Sequence, residues 1–320
     1  MWKLKREVPE YGIPNPGVHC YLNTAIQCVA AMRSLNRRIY RGAEEGVGAG
    51  LLGEYSRILK NLIQIVKDRK DTENILVKYN KFKNIFFSGN TTIKDNVQED
   101  CSEALFYILN KFCDEDKTLR KELFFNEKTF LKCNACGKKE TKKEKNLFLN
   151  LSLLSNGMRK EEVHIKELVQ EYTKENIAKD YKCEQCKSIN TTLKKVFLFR
   201  CGTKGAVRGT KGAVRGTKGA VRVPKNFIMF FGRGASGGVR INKEIIIPYE
   251  MTLVGNRYIL SALVLHHGNS ATSGHYTCHV RRGKDWYIIN DAQVSESAGG
   301  SGNENIIKTR EAYVAIYSLT

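Results

Sequence analysis

Cys20 stands in the stretch NPGVHCYLNTAIQC, where small turn-formers lead into a thiol and an apolar pattern of helical period begins at once. A thiol on the first turn of a helix faces unpaired N–H groups and the positive end of the helix dipole, both of which favour the thiolate. That is a setting for a nucleophile, provided a base is near. Far along the chain, SGHYTCHVRRGKDWYIINDAQV holds His275 directly after Gly274 in a β-like segment, with Asn290 and Asp291 at the end of the next one. Adjacent antiparallel strands would set the imidazole beside an amide or a carboxylate, which would fix the ring's tautomer as in Cys-His-Asn proteases. A cysteine at a helix start, followed much later by a histidine and its orienter, is the papain-like order. Taken singly, Cys20 and His275 read equally well as packing residues. Only their combination points to chemistry.

A second set of thiols suggests a metal. CNAC places Cys133 and Cys136 on one tight turn, and CEQC places Cys183 and Cys186 on another. Each pair can bite one ion, and four thiolates close a tetrahedral zinc site with no open ligand, so the ion would hold structure and take no part in chemistry. The stretch between the pairs is longer than in a compact zinc ribbon, so the two turns must meet through a fold rather than a hairpin. Both pairs sit among lysines, glutamates and asparagines, which argues against a cluster of core cysteines.

The elements that would position these groups change character along the chain. Leu22, Ile26, Val29 and Met32 follow helical spacing between Tyr21 and Leu35, and the stretches Leu51 to Val66 and Ser102 to Phe112 read the same way. Later, Leu147, Leu149, Leu151 and Leu153 alternate as on one face of a strand. Ile165, Leu168, Val169 and Tyr172 return briefly to helix. From KKVFLFR onward the segments NFIMFF, EIIIPYEM, YILSALVLHH, HYTCHVRR, DWYIIND and AYVAIYSL are β-like. A helical first part and a strand-rich second part predict an α+β architecture with a cleft between lobes. GTKGAVR occurs three times in succession from Gly202 to Arg222. Its glycines and single valine per repeat exclude a coiled coil, which leaves a flexible basic loop inserted between two strands.

Composition sets outer limits. The chain has 320 residues, 42% of them hydrophobic, enough for a folded core. No apolar run is long enough for a membrane helix, and the first residues lack the apolar stretch of a secretory signal. A reducing compartment is therefore the expectation, with ten cysteines serving as ligands, nucleophile or core. The formal net charge is +20, and removing the repeat's Lys204, Arg208, Lys211, Arg215, Lys218 and Arg222 leaves the remainder still strongly basic. Such charge suits an acidic partner, nucleic acid included, or simply solubility; no nucleic-acid-binding motif accompanies it, which favours solubility.

Together these motifs resemble, almost end to end, the ubiquitin-specific proteases, a large group of papain-like deubiquitinases. GIPNPGVHCYLNTAIQCV is similar to their cysteine box, QEDCSEAL to their Q-Q-D-x-x-E-F-L element, and YILSALVLHHGNSATSGHYTCHV with WYIINDAQV and AYVAIYSL to their histidine box and terminal strand. The two CxxC pairs fall where the family's zinc-bearing fingers lie. The resemblance implies one catalytic domain over 1–320: a mainly helical thumb over 1–125, a zinc fingers region over 126–200, the basic repeat insertion over 201–222 and a β-rich palm over 223–320. It implies that Cys20 is the nucleophile, His275 its base, Asn290 the third triad member, Asp291 an auxiliary acid and Asn15 an oxyanion-hole donor. Asp100 and Glu103 would hold the basic tail of ubiquitin, and His266 and Tyr276 would line the cleft around its Gly-Gly end.

The implied activity is thiol-dependent hydrolysis of the isopeptide or peptide bond after the terminal glycine of ubiquitin. The implied cofactor is structural zinc only. Ubiquitin, ubiquitinated proteins and possible complex subunits are the implied partners, with a cytoplasmic or nuclear location. An inactive ubiquitin-binding scaffold and a protease for another ubiquitin-like modifier are the alternatives. The chain departs from the family pattern at Val18 and His19, which replace Asn-Thr, at Glu99 and Ala104, and in FIMFFGRG, which lacks the family's strand-end phenylalanine. None of these removes a catalytic group. Because the motifs begin at Gly12, the chain reads as close to a bare catalytic core, and targeting would come from its surface or from partner subunits.

Overall fold

The computed structural model of the chain describes residues 12–32, 34–35, 75–154, 161–178, 181–197, 223–234, 239–270, 273–297 and 305–320. The helix expected from Leu51 to Val66 and the GTKGAVR repeat lie outside the described residues.

Helix α1 (Cys20–Ala31) is buried along its whole length, with polar Asn23, Thr24 and Gln27 included. A helix enclosed on all sides runs through a core rather than over it. Helix α2 (Ile75–Ser88) packs Ile75, Tyr79, Phe82 and Phe86 from one face. Helix α3 (Cys101–Glu115) buries Leu105, Ile108, Leu109 and Phe112, and the Asp100 carboxylate caps its start by accepting from the N–H groups of Ser102 and Glu103. The short α4 (Lys117–Leu123) follows, capped in the same way by Asp116.

The chain then becomes strand-rich. Strands β1 (Phe125–Cys133), β2 (Lys139–Asn146), β3 (Phe148–Ser152) and β4 (Glu162–His164) lead to helix α5 (Ile165–Thr173). After it come β5 (Asn176–Ile177), β6 (Thr191–Phe197), β7 (Asn226–Gly232), β8 (Glu244–Pro248), β9 (Glu250–Leu253), β10 (Asn256–His267) and β11 (His275–Arg282). The last are β12 (Asp285–Asn290), β13 (Gln293–Ser297), β14 (Ile306–Thr309) and β15 (Ala312–Leu319).

Three sheets result. The largest runs in the order β13-β12-β11-β10-β15-β7-β3, with β9 beside β10; only its β3–β7 pair is parallel. Both faces of this sheet are covered. Along β10, Ala262 and Val264 join the core around α1, α2 and α3, while Leu263 and Leu265 join a second core shared with α5, β4 and β8. Strand β15 divides the same way, Val314 and Ile316 on one side, Ala315 and Tyr317 on the other. Two-sided burial explains why AYVAIYSL is almost continuously apolar instead of alternating. A separate four-stranded sheet, β2-β1-β6-β5, carries both CxxC turns, and a three-stranded one has the order β14-β8-β4. The architecture is therefore α+β, with α1, α2 and α3 packed on one face of a large sheet, α5 on the other, and a smaller finger-like sheet beyond.

Candidate active site

The nucleophile candidate begins α1, and α1 lies against β11, so the helix start meets the strand that opens with His275. The backbone N–H of Tyr276, the residue after His275, donates to the Cys20 thiol. Cys20 is 3% exposed. Burial raises its pKa above the ordinary value of 9.0; the hydrogen bond from Tyr276 works against this rise, and the nearby Asp291 carboxylate adds to it. Desolvation thus opposes the help that the helix-start N–H groups of Cys20 and Tyr21 give the thiolate.

His275 is fixed from the other side. Its Nε2 donates to Asn290 Oδ1 at 2.7 Å, an oxygen that can only accept, which sets the tautomer and leaves the Nδ1 lone pair free. The antiparallel pairing of β11 with β12 brings the first residue of one beside the last residue of the other. Gly274 cannot be replaced without movement: a Cβ there would lie 2.3 Å from the His267 carbonyl oxygen and 2.5 Å from His266 Nε2.

Asp291 stitches the two halves of the site together. Asn15 Nδ2 donates to its Oδ2 at 2.9 Å and Asn23 Nδ2 to its Oδ1 at 2.8 Å, while the Ile13 N–H donates to its carbonyl at 2.8 Å. Asp291 itself has a left-handed backbone, φ 49°, which Asp tolerates better than most residues. A Cβ on Gly12 would lie 2.1 Å from that same carbonyl oxygen, so the cysteine loop is pressed directly on the turn after β12. Asn15 Oδ1 in turn accepts from the N–H groups of Gly17 and His19, both at 3.1 Å, and so shapes the loop that leads to Cys20.

The remaining sequence-predicted residues cluster nearby. His266 is buried and stacks on Tyr276, with ring centroids 4.6 Å apart. Burial, with Arg240 adding to it, lowers the His266 pKa and keeps the ring neutral. Asp100 is engaged structurally: besides capping α3, it accepts from the Tyr313 hydroxyl. Glu103 is exposed one turn further on, its pKa raised by burial of the carboxylate and by Asp100 and Glu99. His19, the departure beside the nucleophile, is 2% exposed and bonds Asp95 through Nε2 at 2.6 Å. Desolvation would raise the Asp95 pKa, but that bond and Lys83 outweigh it and lower the value. Gln98 on the same loop donates to the Gly274 carbonyl.

Sequence reasoning missed Asn23, Asp95, Gln98 and Tyr313. Asn23 carried a usable signal, since a polar residue one turn after Cys20 on a helix with buried apolar spacing needs a buried partner.

The four cysteines of the CxxC pairs meet at the tip of the finger sheet, with all their sulfurs within 4.8 Å of one another. Cys133 and Cys186 sulfurs are 3.5 Å apart, and those of Cys136 and Cys183 are 3.7 Å apart. A tetrahedral zinc with bonds of about 2.3 Å needs sulfurs separated by roughly 3.8 Å, so the set fits. The two turns are built alike: Cys133 O accepts from Gly137 N at 3.0 Å and Cys183 O from Lys187 N at 2.8 Å. Gly137 and Lys187 both have left-handed φ, 73° and 61°. N–H groups of Cys136 and Ala135 lower the Cys133 pKa and those of Cys186 and Gln185 lower that of Cys183, while, against the Lys138 N–H, desolvation and the three other thiols push Cys136 up to about 12. These residues can hold a metal ion.

Known proteins place this geometry in a family. The sequence profile of ubiquitin carboxyl-terminal hydrolase matches residues 11–317. Ubiquitin carboxyl-terminal hydrolase 25 of Arabidopsis thaliana is 21% identical over 351 residues, covering 98% of this chain and 48% of the relative. Ubiquitin carboxyl-terminal hydrolase 21 of Homo sapiens is 22% identical over 377 residues, covering 96% of this chain and 61% of the relative. The chain thus spans only about half to three-fifths of the length of these relatives. Among solved structures, a chain of the SAGA DUB module of Ubp8, Sgf11, Sus1 and Sgf73 bound to monoubiquitin shares the fold, with a TM-score of 0.72 at 15% identity. That match covers 99% of this chain and 71% of the other, and the same module bound to ubiquitin aldehyde agrees as well. With its profile match running from the cysteine loop to the last strand, the chain belongs to the ubiquitin carboxyl-terminal hydrolase family.

Proposed function

We propose that this chain is a thiol-dependent deubiquitinase that cleaves the isopeptide or peptide bond after the terminal glycine of ubiquitin. The observation that carries the reading is the His275–Asn290 hydrogen bond of 2.7 Å, made one residue from the N–H that holds the Cys20 thiol. The Nδ1 lone pair of His275 takes the Cys20 proton, and the thiolate attacks the carbonyl carbon of the terminal glycine. The negative oxygen that forms is received by the Cys20 N–H and by the second amide hydrogen of Asn15, the first being held by Asp291. The imidazolium protonates the departing amine. Water, deprotonated by His275, then attacks the thioester and releases the thiol.

Asp291 acts as a positioning residue, since it aims Asn15 without meeting the reacting atoms. Glu103 offers an exposed carboxylate to a basic tail, whereas Asp100 acts by fixing α3 and Tyr313 at the cleft. The stacked His266 and Tyr276 form a wall suited to glycines. Zinc, when bound by Cys133, Cys136, Cys183 and Cys186, supplies a structural clasp for the finger sheet and no reactive ligand position. Solved relatives in complex with ubiquitin and with module subunits support ubiquitin as substrate and complex subunits as partners.

The test is reaction with ubiquitin carrying a C-terminal electrophile, run beside other ubiquitin-like tails. Rapid labelling by the ubiquitin probe that disappears in Cys20→Ser is expected. Labelling that survives in Cys20→Ser, or faster labelling by another tail, overturns the assignment.

A further inference from the structure

The two faces of the finger sheet carry different charge. Register places Lys128 and Lys132 of β1, Lys139, Lys143 and Lys145 of β2, and Lys194 of β6 on one face, with no carboxylate among their neighbours on it. The other face holds Glu127, Glu140 and Glu144, and its lysines are paired: Lys195 with Glu127 at 3.3 Å and Lys142 with Glu140 at 3.6 Å. That acidic face turns toward α5, where the Tyr172 hydroxyl donates to Glu127. Among the described residues, none of the six lysines on the opposite face forms an ion pair.

Solubility requires charge but not this segregation. Lysines on an edge strand prevent unwanted strand pairing, which accounts for β2. It does not account for Lys128, Lys132 and Lys194, because β1 and β6 are interior strands of the sheet. Across the strands Lys128 faces Lys143 and Lys132 faces Lys139 at about 5 Å, while along them neighbours lie about 7 Å apart (Lys143 and Lys145) or about 13 Å apart (Lys128 and Lys132, Lys139 and Lys143). Clustered like charges at this spacing repel one another, so the array is at its most favourable against a dense polyanion.

We propose that this lysine face is a docking surface for the phosphate backbone of duplex DNA. A duplex presents one negative charge per about 1.7 Å of axis, dense enough to offer a phosphate to each lysine of the array. Lysines contact phosphates as point charges and lack the planar fork that arginine uses to read guanine, so the surface binds without sequence preference. Single strands are gripped by stacking on free aromatic faces. The one aromatic ring in the array, Phe130, is instead covered by the Lys128 ammonium 4.4 Å from its centre. An acidic protein partner would need a cluster of apolar anchors at the centre of the contact; on this face Phe130 is covered, Val196 is half-buried and Ile177 stands apart on the edge strand β5. No nucleic-acid motif marks this surface because it is assembled from three strands and is visible only through their register.

The test uses the full chain and a short labelled DNA duplex, with melting temperature as the check on folding. Binding should be independent of base sequence and should weaken roughly a thousandfold between about 50 and about 200 mM salt, as expected for around six phosphate contacts. Replacing Lys132, Lys143 and Lys194 by alanine should weaken binding at least about tenfold and lower the salt slope by close to three phosphate equivalents. The charge-matched variant Lys117→Ala, Lys121→Ala, Lys284→Ala should retain most of the affinity. Cys20→Ser should bind as the parent does, which keeps this surface separate from the thiol chemistry. Equal losses in the two triple variants, tighter binding of single strands or of polyglutamate, or no duplex binding at low salt would each overturn the proposal.

Discussion

At the α1–β11 junction the polar side chains are buried or half-buried and bonded to residues far away in sequence, whereas on the finger sheet most are exposed and bonded, where they are bonded, to neighbouring elements. Asn15 and Asn23 reach Asp291 across the whole chain. Lys142 and Glu140 merely neighbour each other on β2. A network of directional bonds at the edge of a core has few good geometries and loses function with small displacements. A solvated sheet tolerates change at most positions and depends on the clasp at its tip. The difference predicts that damage at the junction falls on catalysis, and damage at the fingers on stability and binding.

The sharpest way to break that contrast is Gly274→Ala. The added methyl has only backbone and the His266 ring to displace, so His275 shifts and kcat/KM for a ubiquitin fluorophore should fall about a hundredfold with the fold retained. Next is Asp291→Ala, which takes the carboxylate acceptor from the half-buried Asn15 amide and leaves the buried Asn23 amide only the Ile13 carbonyl. It should lower kcat by some tens of fold with KM little changed, and cost about 1–3 kcal/mol in denaturant titration. At the fingers, Cys133→Ser or zinc chelation should lower the melting temperature and raise KM about tenfold, while alkylation of Cys20 by a small reagent proceeds unchanged.

A pH profile sharpens the junction half of the comparison. The thiolate is the reactive form, and burial places the Cys20 pKa above 9.0. In His275→Ala, which removes the base, the alkylation rate should therefore keep climbing past pH 9.0 instead of levelling below it. The smallest effect is expected from deleting Gly202 to Arg215, which carries none of the site's groups and should leave turnover within about a few fold, measured on the same fluorophore.

How much of this was legible from the sequence depended on burial. The α1 pattern of Leu22, Ile26 and Val29 and the strand AYVAIYSL announced themselves, because both are enclosed by core. Helix α2 did not: Lys78, Asn80, Lys81, Lys83 and Asn84 interrupt the buried Ile75, Tyr79, Phe82 and Phe86, and nothing marks its start. Strand β2, KETKKEKN, has no buried residue, so no alternation betrays it, and it takes strand form from its pairing with β1. At the site, Cys20, His275 and Asn290 stood out by type and order. The capping duty of Asp100 and the Asp95 partner of His19 were invisible, since each depends on a tertiary contact. The setting of the thiol was half legible for a related reason: a helix end can be read from sequence, but the desolvation that opposes it cannot.

The stitch made by Asp291 has a consequence during synthesis. Its partners Asn15 and Asn23 leave the ribosome 276 and 268 residues ahead of it. At about 5–20 residues per second, that delay is on the order of tens of seconds. Throughout that interval the emerging thiol has neither its oxyanion amide aimed nor its imidazole made, so a half-translated chain is chemically idle. Competence arrives in one step, when the final strands close over the first helix.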